Sequence, residues 1–97
     1  MAYDPGAIDA ALAAAVGDDP LLIAELRVAF VDGVARALAA MTEAGDAPAW
    51  CEAAWRLHAL AASFGATGLM RIAAEAANGE PGDAHAMRAL HDATARL

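Results

Sequence analysis

The sequence predicts an all-α fold, an antiparallel up-down-up-down four-helix bundle with a short N-terminal capping helix. Hydrophobic residues make up 60% of the chain and aromatic residues only 5%, so the apolar content is mostly alanine and leucine, two strong helix formers. Apolar residues recur at spacings of three and four along most of the chain. Only a few residues separate these stretches, and short connections favour antiparallel neighbours. A chain of 97 residues is expected to form one domain, residues 1–97.

The N-terminal helix is predicted over about residues 5 to 16. Asp4 is a suitable N-cap, Pro5 suits the first helical position, and Gly17 closes the element. One narrow apolar stripe repeats at steps of four: Ile8, Leu12 and Val16. We therefore expect this short helix to cap the bundle.

The second helix is predicted from Asp19 as N-cap and Pro20 as first residue to about Ala44. Its apolar stripe contains Leu22, Leu26, Phe30, Val34, Leu38 and Met41. Gly33 lies inside this stripe and costs about 1 kcal/mol relative to alanine in a helix. A close contact with another helix would justify that glycine.

The third helix is predicted over about residues 49 to 64, after a break at residues 46 to 48. Its apolar face contains Trp50, Ala53, Ala54, Leu57, Leu60, Ala61 and Phe64. A fourth helix is expected over about residues 68 to 78, with Thr67 as N-cap. The last helix is expected to begin at the cap Asp83 and to run to about Arg96.

The composition excludes several classes of function. A net charge of −7 argues against binding to nucleic acid and to anionic membrane surfaces. No uncharged apolar stretch reaches the length of a membrane span, and the N-terminus lacks the pattern of a secretory signal. The lone Cys51 excludes an internal disulfide and suits a reducing compartment. We therefore expect a cytoplasmic protein.

His58 lies on the flank of the apolar face of the third helix, roughly a quarter turn from its centre. Three interpretations compete: a boundary histidine, a metal ligand and a phosphoryl acceptor. Cys51 lies two turns earlier on a similar side, but two ligands do not close a metal site, so no metal is expected. A neutral imidazole offers a nucleophilic nitrogen at physiological pH. Its neighbours at helical spacing are Ala54, Trp55, Ala61 and Ala62.

The run HALAASFGATGL, residues 58–69, resembles the signature of histidine-containing phosphotransfer (HPt) domains. That signature is His, any residue, Leu, Lys, Gly and Ser, followed by a glycine-containing turn and an apolar helix start. The residues that match at the same offsets are His58, Leu60, Ser63, Gly68 and Leu69. Trp50 also falls where the family often has an aromatic residue. Ala61 and Ala62 depart from the pattern, since they replace the family lysine and glycine.

The resemblance implies a phosphocarrier of a multistep two-component phosphorelay. His58 would accept a phosphoryl group from a receiver-domain aspartate and pass it to another receiver. The expected partners are response-regulator receiver domains and a hybrid histidine kinase, with no nucleic acid and no membrane. Mg²⁺ and acidic residues would come from the receiver, so the chain itself needs no cofactor and is not an enzyme. A monomer is expected.

The other predicted site residues surround this histidine. Small side chains at Ala54, Ala61 and Ala62 would let the partner approach closely, and Trp55 would supply apolar docking area. The other interpretation of Trp55 is a partly buried residue of the bundle. The surrounding positions also include Ser63 and Arg71. Arg71 would replace the missing family lysine if the third and fourth helices are antiparallel neighbours. The other interpretation of Arg71 is an ordinary surface arginine.

Two alternatives remain open at this point. The first is a degenerate HPt-like adaptor that binds a receiver or kinase without carrying phosphate, which the replacements at Ala61 and Ala62 favour. The second is a structural helical dimerisation module, in which His58 has no chemical role.

Overall fold

Four α-helices and no strand make up the part of the chain that the computed structural model describes, residues 14, 17 and 19–97. The all-α prediction is therefore confirmed. The helices are α1 (Pro20–Glu43), α2 (Ala47–Ser63), α3 (Thr67–Ala77) and α4 (Ala84–Thr94). The predicted N-terminal helix, residues 5–16, lies outside the described residues except for Ala14.

Helix α1 begins as the sequence predicts. The Asp19 carboxylate accepts hydrogen bonds from the backbone N–H groups of Leu21 and Leu22, at 3.1 and 3.3 Å, and Pro20 stands at the first position. Most of the predicted apolar stripe is buried, namely Phe30, Val34, Leu38 and Met41. Its first turn departs from the prediction, because Leu22 is 37% exposed.

Helix α2 starts two residues earlier than predicted. The Asp46 carboxylate accepts from the N–H of Ala49 at 2.9 Å, which makes Asp46 the N-cap. Pro48 therefore lies in the first turn rather than in a break, and proline is tolerated there because its missing N–H would have had no helical partner. The predicted buried face is confirmed at Trp50, Ala53, Ala54, Leu57 and Ala61, with Leu60 and Phe64 half-buried beside it.

A glycine turn joins α2 to α3. Gly65 has φ of +70°, and its N–H donates to the carbonyl of Ala62 at 3.3 Å. The N–H of Ala66 donates to the carbonyl of Ala61 at 2.9 Å, so the two bonds form a Schellman motif. Ala66 directly precedes α3 without a side-chain cap, and Thr67 is already the first helical residue. The predicted capping role of Thr67 is therefore wrong, because the backbone bonds of this turn fix where α3 begins.

Helix α2 packs against both α1 and α3, while α4 packs against α3 and, less extensively, against α1. The rings of Phe30 and Phe64 meet at a centroid distance of 4.6 Å. A Cβ built on Gly33 would lie 2.9 Å from Cδ2 of Leu60, so α1 and α2 make the close contact that this glycine required. Among the described residues, no polar or charged side chain is buried.

Helix α4 begins at the predicted cap. The Asp83 carboxylate accepts from the N–H groups of His85 and Ala86, at 2.9 and 3.3 Å. The helix ends at Thr94, two residues before the predicted end at Arg96. None of the described helices combines the length and the apolar character needed to cross a membrane.

Candidate functional site

The His58 side chain is half-buried on the surface of α2, in the second half of the helix. Its ring packs against that of Trp55, with ring centroids 4.9 Å apart and planes at 73°, an edge contact between residues three apart on one helix. Within the described part of the chain, neither ring nitrogen forms a hydrogen bond. The imidazole is thus held by packing while its nitrogens have no internal partner among those residues.

Two small residues lie beneath His58 and not beside it. Ala54 and Ala61 are both 0% exposed, because they sit at the positions where α2 packs against the rest of the bundle. Neither side chain is accessible to a partner protein. This burial contradicts the prediction that Ala54 and Ala61 let a partner approach His58 closely. Their small size instead allows close packing of the helices under the histidine.

Ala62 is exposed and lies one turn after His58. The two departures from the HPt pattern are therefore physically different. A lysine at position 61 would have its side chain start in the core, whereas a lysine at position 62 would start on the surface, next to the imidazole. Of positions 61 and 62, only Ala62 is accessible to a group that a partner protein brings to His58.

Ser63 does not share the His58 surface. The two positions are five apart in the sequence, which places them about 140° apart around the helix. The Ser63 hydroxyl donates to the carbonyl of Ala59 at 3.0 Å. Its side chain lines an open groove between α1 and α2 together with Gly33 and Leu60. The structure therefore separates this predicted site residue from the histidine.

Arg71 forms an ion pair on its own helix. Its Nη1 lies 3.0 Å from Oε1 of Glu75, and both side chains are more than half exposed, at 55% and 64%. No hydrogen bond or ring contact joins any described arginine to His58. An exposed pair at this spacing contributes only about 0.3–0.5 kcal/mol, so a bound anion competes easily for the guanidinium.

Cys51 is a half-buried free thiol two turns before His58 on α2. In the segments that the structure describes, no group of three or more His, Cys, Asp and Glu side chains is arranged to hold a metal ion. The other two histidines, His85 and His91, are exposed on α4.

The chemistry available at this surface is limited. His58 offers a ring nitrogen, and Trp55, 43% exposed, supplies an apolar neighbour. No acid or base among the described residues is hydrogen-bonded to the imidazole, so none of those residues acts as its proton-transfer partner. Such a surface can accept a group, but another molecule must supply the charges that drive the transfer.

Comparison of the sequence with protein-family models, with curated proteins and with solved structures gave no significant match. The functional argument therefore depends on the residues of the chain and on their arrangement.

Proposed function

We propose that the chain is a histidine phosphotransfer protein, which carries a phosphoryl group between receiver-domain aspartates as phosphohistidine at His58. The observation that supports this proposal is the combination of an edge contact with Trp55 and ring nitrogens without hydrogen-bond partners among the described residues. A nucleophile needs an available lone pair. A ring held in one orientation also lowers the entropic cost of reaching the transition state.

In the proposed reaction, one ring nitrogen of His58 attacks the phosphorus of an aspartyl phosphate. The new N–P bond forms as the bond from phosphorus to the aspartate oxygen breaks, and the free carboxylate leaves. The other ring nitrogen keeps its proton throughout. A second receiver aspartate reverses these steps. Phosphoryl transfer depends on positioning and on charge neutralisation, which Mg²⁺ and the acidic residues of the receiver supply.

The proposal includes an antiparallel up-down-up-down arrangement of the helices with the N-terminal segment as a cap. The connections between helices are short, residues 44–46, 64–66 and 78–83, and short connections favour antiparallel neighbours. Helix α2 has α1 and α3 as neighbours, which leaves the flank with His58 and Trp55 outward. We further propose one domain over residues 1–97 that acts as a cytoplasmic monomer, since its one thiol suits a reducing compartment.

Receiver domains of response regulators, and a hybrid histidine kinase that contains one, are the partners that this proposal requires. Trp55 would provide apolar contact area, and Ala62 would leave room for the aspartyl phosphate beside the imidazole. Arg71 would leave its weak pair with Glu75 and turn toward the phosphoryl group. That movement would supply the cation that the family lysine provides at position 61.

An adaptor that docks on a receiver without carrying phosphate is the second candidate. The observation in its favour is that no arginine among the described residues pairs with His58, and that Arg71 pairs with Glu75 instead. An adaptor needs the surface around Trp55 but not the nitrogen of His58. The two candidates therefore differ in whether substitution of the histidine alone abolishes function.

The test is incubation of the full chain with a panel of receivers carrying radiolabelled aspartyl phosphate. A carrier acquires label that is lost in acid and stable in alkali, as expected for a phosphoramidate. His58→Gln abolishes the label and leaves receiver binding unchanged. The exposed histidines of α4 provide matched controls, so His85→Gln and His91→Gln keep the wild-type level.

Binding of the receiver without any label on the wild-type chain identifies the adaptor instead. Label on His58→Gln contradicts the assignment of the acceptor. If the chain neither binds a receiver nor accepts label from one, the remaining candidate is the structural helical dimerisation module.

A further inference from the structure

An open groove lies between α1 and α2, on the side of α2 that faces away from His58. Its volume is about 450 Å³, within the usual range of small-ligand sites. Arg56 lines it and projects about 160° away from His58 around the helix, so the groove is separate from the proposed phosphotransfer surface. We call it the α1–α2 groove.

Two arginines line the α1–α2 groove, Arg36 from α1 and Arg56 from α2. The chain has only six basic residues and a net charge of −7. No acidic side chain is among the described residues that line this groove. Positive charge is therefore concentrated at one place on an acidic protein, which favours an anionic ligand there.

The closest contact between α1 and α2 sets the positions of the two arginines. A Cβ on Gly33 would lie 2.9 Å from Cδ2 of Leu60, so the helices meet at these residues. Arg36 is three residues after Gly33, and Arg56 is four residues before Leu60. In the proposed antiparallel arrangement, both arginines are therefore about one turn from that contact and on the same side of it. Two guanidinium groups can then bind one anion from opposite sides of the groove.

Both guanidinium groups are available to a ligand. Arg36 pairs with Asp32 at 2.9 Å and Arg56 pairs with Glu52 at 3.3 Å, each through Nη2. All four side chains are more than 60% exposed, so each pair contributes only about 0.3–0.5 kcal/mol. A guanidinium has five N–H donors, so an anion can bind beside the carboxylate or displace it.

The floor of the α1–α2 groove is apolar and includes Ala37, Ala59 and Leu60. We propose that this groove binds a small organic phosphate monoester, with its phosphate between Arg36 and Arg56 and its organic part on the apolar floor. A phosphate monoester carries close to two negative charges and three acceptor oxygens at neutral pH, which suits two guanidinium groups at once.

The acidic residues beside the groove favour a small ligand over a phosphorylated protein. Asp32 and Glu52 lie one turn before the arginines on their helices and are 61% and 75% exposed. They repel a large acidic surface, whereas a small monoester reaches the arginines without contact with the rest of this acidic chain.

The test is a titration of the full chain with phenyl phosphate, followed through backbone amide chemical shifts. We expect changes at Arg36, Ala59 and Leu60, and none there with phenol. A phosphoserine peptide tests the other source of the same chemistry. If the peptide changes these shifts and phenyl phosphate does not, the groove binds a phosphorylated protein and the proposal is wrong. Absent shifts, or shifts scattered over the surface, also overturn it.

Charge variants give a second test, with effects of opposite sign. Arg36→Gln and Arg56→Gln should each weaken binding of phenyl phosphate about ten-fold. Asp32→Asn and Glu52→Gln remove the competing carboxylates and should each strengthen it about two-fold. The matched control is Arg88→Gln, an exposed arginine of α4, which should leave the affinity unchanged. Equal weakening in Arg88→Gln would show that only the total charge matters and would contradict the site.

Ala59→Leu tests the apolar floor without any change of charge. Position 59 is exposed, so the larger side chain fills part of the groove and leaves the core intact. The variant should weaken binding of phenyl phosphate more than binding of inorganic phosphate. Equal effects on the two probes would contradict the placement of the organic part on this floor.

Discussion

The indole N–H of Trp50 donates a hydrogen bond of 2.7 Å to the carbonyl oxygen of Ala76, inside the core. Trp50 lies in the first turns of α2 and Ala76 in the last turn of α3, where carbonyl groups have no partner within their own helix. The same oxygen also accepts from the N–H of Gly79 at 3.0 Å. One side chain therefore fixes how the beginning of α2 meets the end of α3.

Trp50→Phe should lower the free energy of unfolding by about 1–3 kcal/mol, because it removes this bond and part of a fully buried side chain. Denaturant unfolding measures the loss. The matched control is Trp55→Phe at a 43% exposed position, which should stay within about 0.5 kcal/mol of the wild type. Equal losses in the two variants would contradict the structural role of the Trp50 bond.

Lysine at position 61 should destabilise the fold. Ala61 is 0% exposed, so Ala61→Lys overfills the core and draws a charge toward it, at a cost of about 3 kcal/mol or more. Ala62→Lys, on the exposed neighbour, should leave the free energy of unfolding within about 0.5 kcal/mol of the wild type. Denaturant unfolding of the two variants provides the comparison.

The same pair of variants bears on the proposed phosphotransfer. Ala62→Lys places an ammonium group one turn from His58 and should speed transfer of label from a phosphorylated receiver by about three-fold, or about 0.7 kcal/mol of charge stabilisation. Single-turnover labelling at matched receiver concentration measures the rate. An unchanged or lower rate would show that a cation at this position does not assist the reaction.

Gly65→Ala should cost about 1–2 kcal/mol of stability, because the turn after α2 holds this residue at φ of +70°. Gly45 is the matched control. It is a loop glycine outside the left-handed region, and a Cβ added there meets nothing within 4 Å. Gly45→Ala should be neutral or slightly stabilising, since it reduces the freedom of the unfolded chain. Similar losses at both positions, measured by denaturant unfolding, would show that the left-handed turn is not what requires Gly65.

Gly33→Ala should change stability by less than about 1 kcal/mol. The added Cβ forces Cδ2 of Leu60 to move, but that atom ends a half-buried side chain beside an open groove. The improved helix propensity, about 1 kcal/mol, offsets the rearrangement. Gly33→Val, which adds more volume at the same contact, should cost about 1–3 kcal/mol. Thermal unfolding of both variants checks the order, and an alanine variant less stable than the valine variant would contradict it.

The helices could be predicted from the sequence because their signals are local. Asp19 and Asp83 cap helices where the sequence places them, since each carboxylate bonds to N–H groups only two or three residues away. The sequence predicts a break at Pro48 because proline interrupts a helix when it lies in the interior. Proline is also common in the first turn of a helix, and the Asp46 cap shows that Pro48 belongs to the first turn of α2. The predicted cap at Thr67 depends on residue type alone, and residue type does not say at which residue the preceding turn ends.

The candidate site was less predictable, because burial depends on the neighbouring helices. A helical wheel places His58 on the flank of α2, and its spacing from Trp55 anticipates their contact. The same wheel places Ala61 on the apolar face and Ala62 off it, but whether Ala61 is fully covered depends on how the other helices pack on α2. The sequence also does not show that Leu21, Val28 and Val31 in the first half of α1 are exposed. Their spacing is visible in the sequence, but their exposure follows only once the opposite side of α1 is seen to form the core.

The two indoles of the chain occupy opposite environments, Trp50 at 1% exposure and Trp55 at 43% against the ring of His58. Intrinsic fluorescence should therefore contain two separable signals, a blue-shifted emission from the core and a red-shifted emission from the histidine surface. In Trp55→Phe the remaining emission reports unfolding alone. In Trp50→Phe it reports events at the imidazole, such as modification or docking, so a change at the surface can be followed in real time without an added dye.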